Sequence, residues 1–123
     1  MEYIIIGIGG ILGANARYVV ANWASQRLGA DFPYGTLIIN VSGSFLLGFF
    51  MAFALNRAFL HPNYRLFVAT GFCGAYTTFS TFTYESLRLL QDGSFVLGFA
   101  NMIGSLLVGM FAVFLGFVIG KMI

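Results

Sequence analysis

Residues 70–84 give the strongest indication of chemistry in this chain, because hydroxyl-bearing side chains occupy nearly every second position of an otherwise apolar stretch. Gly71, Gly74 and the adjacent β-branched residues Thr77 and Thr78 all weaken an α-helix. We therefore predict a helix that is interrupted at residues 74–77, and carbonyl groups freed by such an interruption can bind an ion. The alternative is a kinked helix whose own Ser and Thr side chains bond the freed backbone groups.

Two other segments carry polar side chains at helical spacing. Thr36, Asn40 and Ser44 are four residues apart, so a helix places them on one face. Asn101 and Ser105 repeat this spacing in the last segment. Such residues can form hydrogen bonds between helices, worth about 0.6 kcal/mol per pair, and we assign Ser44 that role. An asparagine is harder to bury in an apolar segment, so we predict a functional role for Asn40.

The side chains on these segments suit an anion. Amide N–H groups, hydroxyl groups and the electropositive edges of phenylalanine rings all interact favourably with negative charge. No carboxylate lies in the middle of an apolar segment, so no acidic ring that would select cations is present. Phe79 and Phe82 would present their rings on one helical face, although most of the 15 phenylalanines are expected in the core. Arg17 either attracts anions to an entrance or extends its charge to the water interface.

These residues lie on four stretches that are long and apolar enough to cross a membrane. Residues 32–56, 66–84 and 93–120 contain no charge, and Arg17 is the only charge in residues 3–26. A spanning helix needs about 20 apolar residues, and a soluble domain carries about 25% charged residues. We predict an all-α integral membrane protein in a lipid bilayer, with a third helix broken in mid-membrane. The single domain, 1–123, is expected to have helices near 3–27, 33–57, 64–90 and 94–121.

The basic residues favour neither orientation in the membrane. With four crossings, one side holds three basic residues and the other side also holds three: Arg57, Arg65 and Lys121 against Arg17, Arg27 and Arg88. Orientation normally follows an excess of Lys and Arg on the cytoplasmic side. The balance indicates either a topology set by a weaker signal or dual topology, in which copies insert both ways and pair as an antiparallel homodimer. The net charge of +2, without a basic cluster, gives no indication of nucleic-acid binding.

Pairs of small residues four positions apart provide surfaces for close approach of helices. Such pairs can pack within one subunit or between two subunits. The pairs are Gly9/Gly13, Gly116/Gly120, Ser44/Gly48 and Ser105/Gly109.

Three stretches resemble the signature motifs of the Fluc (CrcB-type) fluoride channels: GGILGANARY (9–18), GTLIINVSGSF (35–45) and GFCGAYTTFSTF (71–82). The resemblance covers nearly the whole chain in order. It implies an antiparallel, dual-topology homodimer with two fluoride pores and a central sodium ion. By this resemblance Asn40, Phe79, Phe82 and Ser105 belong to the fluoride pore, to which Thr36 and Thr83 would add hydroxyl groups. It also implies that the backbone carbonyls of Gly74 and Thr77 hold Na⁺.

The fourth segment departs from some members of that family. Asn101 stands where they have a tyrosine, and Gly109 and Val113 stand where they have hydroxyl residues. Of the outer polar positions in this segment, only Ser105 matches.

The expected function is a fluoride-selective channel, without enzymatic activity, that passively lowers cytoplasmic fluoride across the inner membrane of a bacterium. A small multidrug exporter would share the size and the dual topology, but it requires a mid-membrane carboxylate. A purely structural membrane protein would not need the hydroxyl-rich third segment.

His61, which has no neighbouring ligand, is not expected to bind a metal, and Cys73 is expected to be a small packing residue.

Overall fold

Every regular element of the chain is helical, as the sequence predicts. The computed structural model describes all residues, 1–123, and contains no β-strand. The elements in chain order are α1 (Glu2–Leu28), α2 (Tyr34–Leu55), α3 (Pro62–Arg65), a π-helix (Leu66–Cys73), α4 (Gly74–Tyr76), α5 (Ser80–Gln91) and α6 (Phe95–Met122). The ends of α1, α2 and α6 lie within two residues of those expected from the sequence.

The three long helices, α1, α2 and α6, have the length and apolar composition needed to cross a membrane. Much apolar surface of the chain is exposed: only 18 of 123 residues are buried, and large side chains such as Ile11, Leu106 and Phe111 are more than 60% exposed. Soluble proteins rarely expose apolar patches of this extent. The surface is therefore that of a membrane protein.

The third apolar segment is divided. Helical structure runs from Pro62 to Tyr76, and α5 begins at Ser80. Between them Thr77 is extended, with φ −79° and ψ 158°. Within the predicted interruption at residues 74–77, Gly74–Tyr76 remain helical and only Thr77 leaves the helix, although its N–H still donates to the Cys73 carbonyl oxygen (3.1 Å). Thr78 N–H is the first to bond outside the helix.

α2 and α6 form the most extensive helix–helix contact of the fold. Glycines allow the two backbones to approach closely. A Cβ atom on Gly48 would collide with the carbonyl oxygen of Val113, and one on Gly116 would collide with that of Phe45. Gly120 lies equally close to the α2 backbone. The α2–α6 pair is thus held together along its length by backbone proximity that larger residues would prevent.

α1 packs against the π-helix in the same way. Cβ atoms on Gly9 and Gly13 would collide with the carbonyl oxygens of Phe67 and Phe72. Both Gly-x-x-x-Gly pairs of the sequence therefore pack within one subunit. By contrast, Gly109 on α6 has no atom within 4 Å of its Cβ position, and Gly104 has none either.

Short connections join the long helices. Gly29 and Gly93, which follow α1 and α5, have φ angles of 84° and 83°, values that strain any residue with a Cβ atom. His61 begins α3, where its Nδ1 accepts a hydrogen bond from Asn63 N–H (3.1 Å). The histidine ring therefore has a local role as a helix cap.

Candidate functional site

One side chain of α2 holds the interruption between α4 and α5. Asn40 Nδ2 donates to the carbonyl oxygen of Thr78 (3.0 Å), and Asn40 Oδ1 accepts from Thr78 N–H (2.9 Å). Buried backbone groups need hydrogen-bond partners, and these two bonds supply them where the helix ends. Asn40 Nδ2 carries a second N–H group that this pair of bonds leaves free.

α2 passes unusually close to the interruption. A Cβ atom on Gly43 would collide with Cγ2 of Thr77, so only glycine permits this approach. On the other side, Thr78 Oγ1 accepts from Thr81 N–H (3.2 Å) in the first turn of α5. Thr78 is thereby fixed through its N–H, its carbonyl and its hydroxyl group.

The interruption also leaves backbone carbonyls without partners, among them those of Gly74 and Thr77. In a continuous α-helix, Thr78 N–H would donate to Gly74 and Thr81 N–H would donate to Thr77. Those N–H groups bond to Asn40 Oδ1 and Thr78 Oγ1 instead. No other hydrogen bond reaches the carbonyl oxygens of Gly74 and Thr77. They are neutral oxygen ligands of the kind that hard cations accept.

A groove of about 680 Å³ lies along the interruption. No charged side chain lines it. Ser44 lies in its wall, and its hydrogen bond to another helix stays a prediction. The groove brings together seven of the residues predicted from the sequence: Asn40, Gly74, Thr77, Phe79, Phe82, Thr83 and Ser105.

The two aromatic residues of the groove form a tilted pair. The ring centroids of Phe79 and Phe82 are 6.1 Å apart, with 50° between the ring planes. Phe79 is 76% exposed, so its ring does not belong to the core of this subunit. Tilted rings present edges as well as faces, and the edges carry the positive end of the quadrupole.

Thr36 and Arg17 lie outside this groove. They share a separate hollow of about 340 Å³ with Thr81 and Thr78, and Thr78 lines both spaces. Thr36 itself is buried, with 7% of its surface exposed. The hydroxyl spacing that places Thr36, Asn40 and Ser44 on one face does not give them one environment, because α1 covers the Thr36 end of α2.

A buried polar network connects α6 to the aromatic pair. Asn101, which is 2% exposed, donates through Nδ2 to Ser86 Oγ (2.9 Å) and accepts through Oδ1 from Ser105 Oγ (3.2 Å). Ser86 Oγ in turn donates to the Phe82 carbonyl oxygen (2.8 Å). Asn101 therefore bonds other residues of its own subunit, and Ser105 in this geometry directs its hydroxyl proton to Asn101.

Sequence reasoning missed three members of the site. Thr78 was considered only for its helix-weakening side chain, and Ser86 was not considered. Ser42 Oγ lies 2.9 Å from Tyr76 Oη, a contact that links α2 to α4. The short spacing of Ser42 from Asn40 was the only indication of it in the sequence.

The carboxylates of α5 and of the loops that flank it lie in another space. Glu85, whose Oε1 is buried without a hydrogen-bond partner, lines a hollow of about 830 Å³ together with Asp31, Arg88 and Asp92. No group of three His, Cys, Asp or Glu residues is placed to hold a metal ion. The groove is thus a site without charged side chains, lined by hydroxyl, amide and aromatic groups.

The sequence matches a known protein family over most of its length. Residues 4–117 match the family described as CrcB-like protein, Camphor Resistance (CrcB). A relative from Acidobacterium capsulatum is 48% identical over 123 residues, which cover 100% of this chain and 98% of the relative. One from Sulfurihydrogenibium sp. is 43% identical over 122 residues, 99% of this chain and 98% of the relative. Both relatives carry the name fluoride-specific ion channel FluC.

Proposed function

The chain belongs to the CrcB family, and from this membership and the neutral groove at the interruption we propose that it is a fluoride-selective ion channel. The observation that carries the proposal is the meeting of Asn40 with Phe79 and Phe82 in one groove without charged side chains. Relatives that match nearly the whole chain are named fluoride-specific ion channels. A channel, not an enzyme, is also the kind of protein that such a groove suits.

The chemistry of the groove favours a small anion. The free N–H of Asn40 and the ring edges of the phenylalanine pair can replace water around fluoride without neutralising it. The Thr83 hydroxyl, which donates to the Ser80 carbonyl oxygen (3.0 Å), would have to turn to do the same. A carboxylate would repel the anion, and a lysine or arginine would hold it too tightly for passage. Fluoride is the smallest halide, so ligands spaced to replace its water shell fit larger halides less well.

Transport is passive in this proposal. Fluoride enters a cell as neutral HF and dissociates in the cytoplasm. A membrane potential that is negative inside then drives the anion outward by about 2.3 kcal/mol per charge per 100 mV. The channel would lie in the inner membrane of a bacterium, where it lowers cytoplasmic fluoride.

The divided third segment supplies a fourth crossing. Its residues from Pro62 to Gln91 connect α2 to α6, and a helix interrupted within a membrane is tolerated where its freed groups line a cavity or meet protein. The bonds from Asn40 to Thr78 meet this requirement. The interruption would then lie in mid-membrane, with both ends of the chain on one side.

A second copy in antiparallel orientation would complete the site. Phe79 is 76% exposed, and Gly109 of α6, which lines the groove, has no atom of this subunit within 4 Å of its Cβ position. Small residues at exposed helix positions favour close helix–helix contact in membranes. The three-against-three balance of basic residues permits both orientations.

Sodium is the cation that the free carbonyls fit best. Gly74 and Thr77 of two copies would provide four neutral oxygens near the dimer axis. Divalent cations normally recruit carboxylates or keep several waters, and no carboxylate lines the groove. Bound sodium would supply a positive charge that binds the two copies together and attracts anions nearby.

Fluoride efflux from liposomes tests the proposed function. Purified protein, reconstituted into vesicles loaded with potassium fluoride, should release fluoride when valinomycin allows potassium to leave, as measured with a fluoride electrode. Vesicles loaded with chloride and followed with a chloride electrode should release far less. Absence of fluoride efflux from protein that remains folded, or equal chloride efflux, would contradict the proposal. Transport of organic cations in place of fluoride would indicate an exporter.

Dual topology has its own test. C-terminal reporters that are active only in the cytoplasm or only outside it should both give activity at normal expression, because the basic residues balance. Adding three lysines to the loop at residues 29–33 should then favour one orientation and lower fluoride resistance. Resistance should return when a copy with the opposite bias is coexpressed. Activity of only one reporter for the unaltered chain would refute dual topology.

A further inference from the structure

Asn40 competes directly with a backbone carbonyl for one N–H group. The bond pattern of an α-helix holds as far as Thr77 N–H, which donates to the Cys73 carbonyl oxygen (3.1 Å), and the backbone leaves the helix at Thr77 itself, with ψ 158°. The next bond in the pattern would join Thr78 N–H to the Gly74 carbonyl oxygen. That N–H donates to Asn40 Oδ1 instead (2.9 Å). The first helical bond that is missing is therefore the one that Asn40 has replaced.

We propose that Asn40 is a positioning residue for the cation site: by binding the N–H of Thr78 it keeps the carbonyl of Gly74 free for sodium. This inference rests on the sodium site of the proposed function. Asn40 then has two roles. Its remaining N–H group, which has no partner in the subunit, is available to the anion, and its bonds to Thr78 keep that residue out of the helix. The anion pathway and the cation site then depend on the same side chain.

The packing around Asn40 favours its hydrogen bonds to Thr78. Gly43, three residues along α2, permits an approach to Thr77 that a Cβ atom would block. This brings the α2 backbone to the end of the helix and allows the short asparagine side chain to reach Thr78. Asn40 also binds both the N–H and the carbonyl of Thr78, so the amide orientation is determined by the backbone it contacts.

Removal of the amide should let Thr77, which is extended (ψ 158°), return to a helical conformation and bring Thr78 N–H back to its helical partner. A buried N–H without an acceptor is unfavourable, and in an Asn40→Leu variant the nearest acceptor in the helical pattern is the Gly74 carbonyl oxygen. That oxygen would then be engaged in a hydrogen bond and would be a poorer ligand for sodium. Asn40→Asp retains an acceptor at the same position, so the Gly74 carbonyl should stay free.

The sodium dependence of dimer stability measures this effect. The thermal midpoint of the purified dimer is recorded over a range of sodium concentrations, with N-methylglucamine as the replacing cation. We expect Asn40→Leu to need about twofold to tenfold more sodium for half of the stabilisation, because one buried hydrogen bond is worth roughly that factor in an equilibrium constant. Asn40→Asp should need no more sodium than the unaltered protein.

Asn15→Leu is the matched control. Asn15 also lies in a long helix, but its amide donates only to the Ile11 carbonyl of its own helix (2.7 Å). A general loss of stability in this variant or in Asn40→Leu would lower the thermal midpoint equally with and without sodium. Only loss of a ligand moves the sodium concentration at half-effect.

A spectroscopic measurement observes the carbonyl itself. Labelling with ¹³C-carbonyl glycine and ¹⁵N-alanine selects the three Gly–Ala pairs of the chain, at residues 13–14, 29–30 and 74–75. The Gly74 carbonyl resonance of the unaltered protein should respond to replacement of sodium, and in Asn40→Leu it should take the shift of a helical, hydrogen-bonded carbonyl.

Three results would overturn the inference. The first needs no variant: the Gly74 carbonyl of the unaltered protein has the chemical shift of a helical carbonyl and does not respond to sodium. The second is an Asn40→Leu protein whose sodium dependence equals that of the unaltered protein, and the third concerns sodium itself. Fluoride efflux from a protein whose stability ignores sodium would remove the sodium site and this inference with it, while leaving the fluoride channel in place.

Discussion

Replacing Phe82 with isoleucine should lower the rate of fluoride efflux by about tenfold to a hundredfold. The substitution keeps a large apolar side chain but removes the ring edge that faces the groove residues. Bonds to charged groups are worth about 1.5–3 kcal/mol, and each 1.4 kcal/mol corresponds to about a factor of ten. The same is expected for Phe79→Ile, since the two rings form one tilted pair with centroids 6.1 Å apart. Efflux from vesicles at equal protein density is the measurement.

Phe49→Ile provides the control for loss of an aromatic ring. Phe49 stacks between Phe45 and Phe53 on α2, with centroids 6.4 and 6.1 Å away, and it does not line the groove. This variant should lose some stability and keep its efflux rate. If Phe82→Ile instead loses stability while the surviving protein transports normally, the pair is a packing element and not part of the pathway.

Asn40→Asp should abolish measurable fluoride efflux. The carboxylate loses the bond that Asn40 Nδ2 donates to Thr78 and, when ionised, places a negative charge in a groove that has none. Two unit charges 4 Å apart repel by about 4 kcal/mol at an effective dielectric constant of about 20, which corresponds to roughly a thousandfold lower occupancy by the anion.

Asn15→Asp carries the same substitution in another long helix. Its amide bonds only the Ile11 carbonyl, so this variant should transport fluoride at nearly the normal rate if it inserts. Near-normal efflux from an Asn40→Asp protein that purifies as a dimer would show that Asn40 does not contact the permeating ion. If both variants lose fluoride efflux, the cause is the presence of a carboxylate in an apolar helix and not its position at the groove.

The helices and the identity of most groove residues could be predicted from the sequence because they depend on local patterns. Long runs without charge require helices in a membrane, where each backbone group must bond within its own segment. The uneven third segment was recognisable from its glycines, hydroxyl groups and β-branched residues. Those patterns indicated a low helix propensity over several residues, but they could not indicate at which residue the helix is interrupted.

The position of the interruption was decided by a residue far away in the chain. Asn40 and Thr78 are 38 residues apart, and Asn40 reaches Thr78 because Gly43 lets α2 approach. The prediction of residues 74–77 followed the weakest local stretch. The structure keeps Gly74–Tyr76 helical and makes Thr77 extended, next to the residue whose N–H finds an acceptor on another helix.

The surroundings of individual polar residues could not be predicted from the sequence either. Thr36 shares a helical face with Asn40, yet it lies with Arg17 in a different hollow because α1 covers that end of α2. Asn101 looked like a second Asn40 from its spacing, and it is buried in a network with Ser86 and Ser105.

The sequence by itself determined that this chain is helical, apolar and suited to a membrane, and that its polar residues are almost all neutral. These properties follow from composition and from helical periodicity, which involve residues only a few positions apart. Only the tertiary structure decided which carbonyls are free, which glycines serve packing within the subunit and which asparagine lies at the groove. Each of these depends on competition between a local hydrogen bond or contact and one from a distant helix, and the outcome is settled only when the helices are packed.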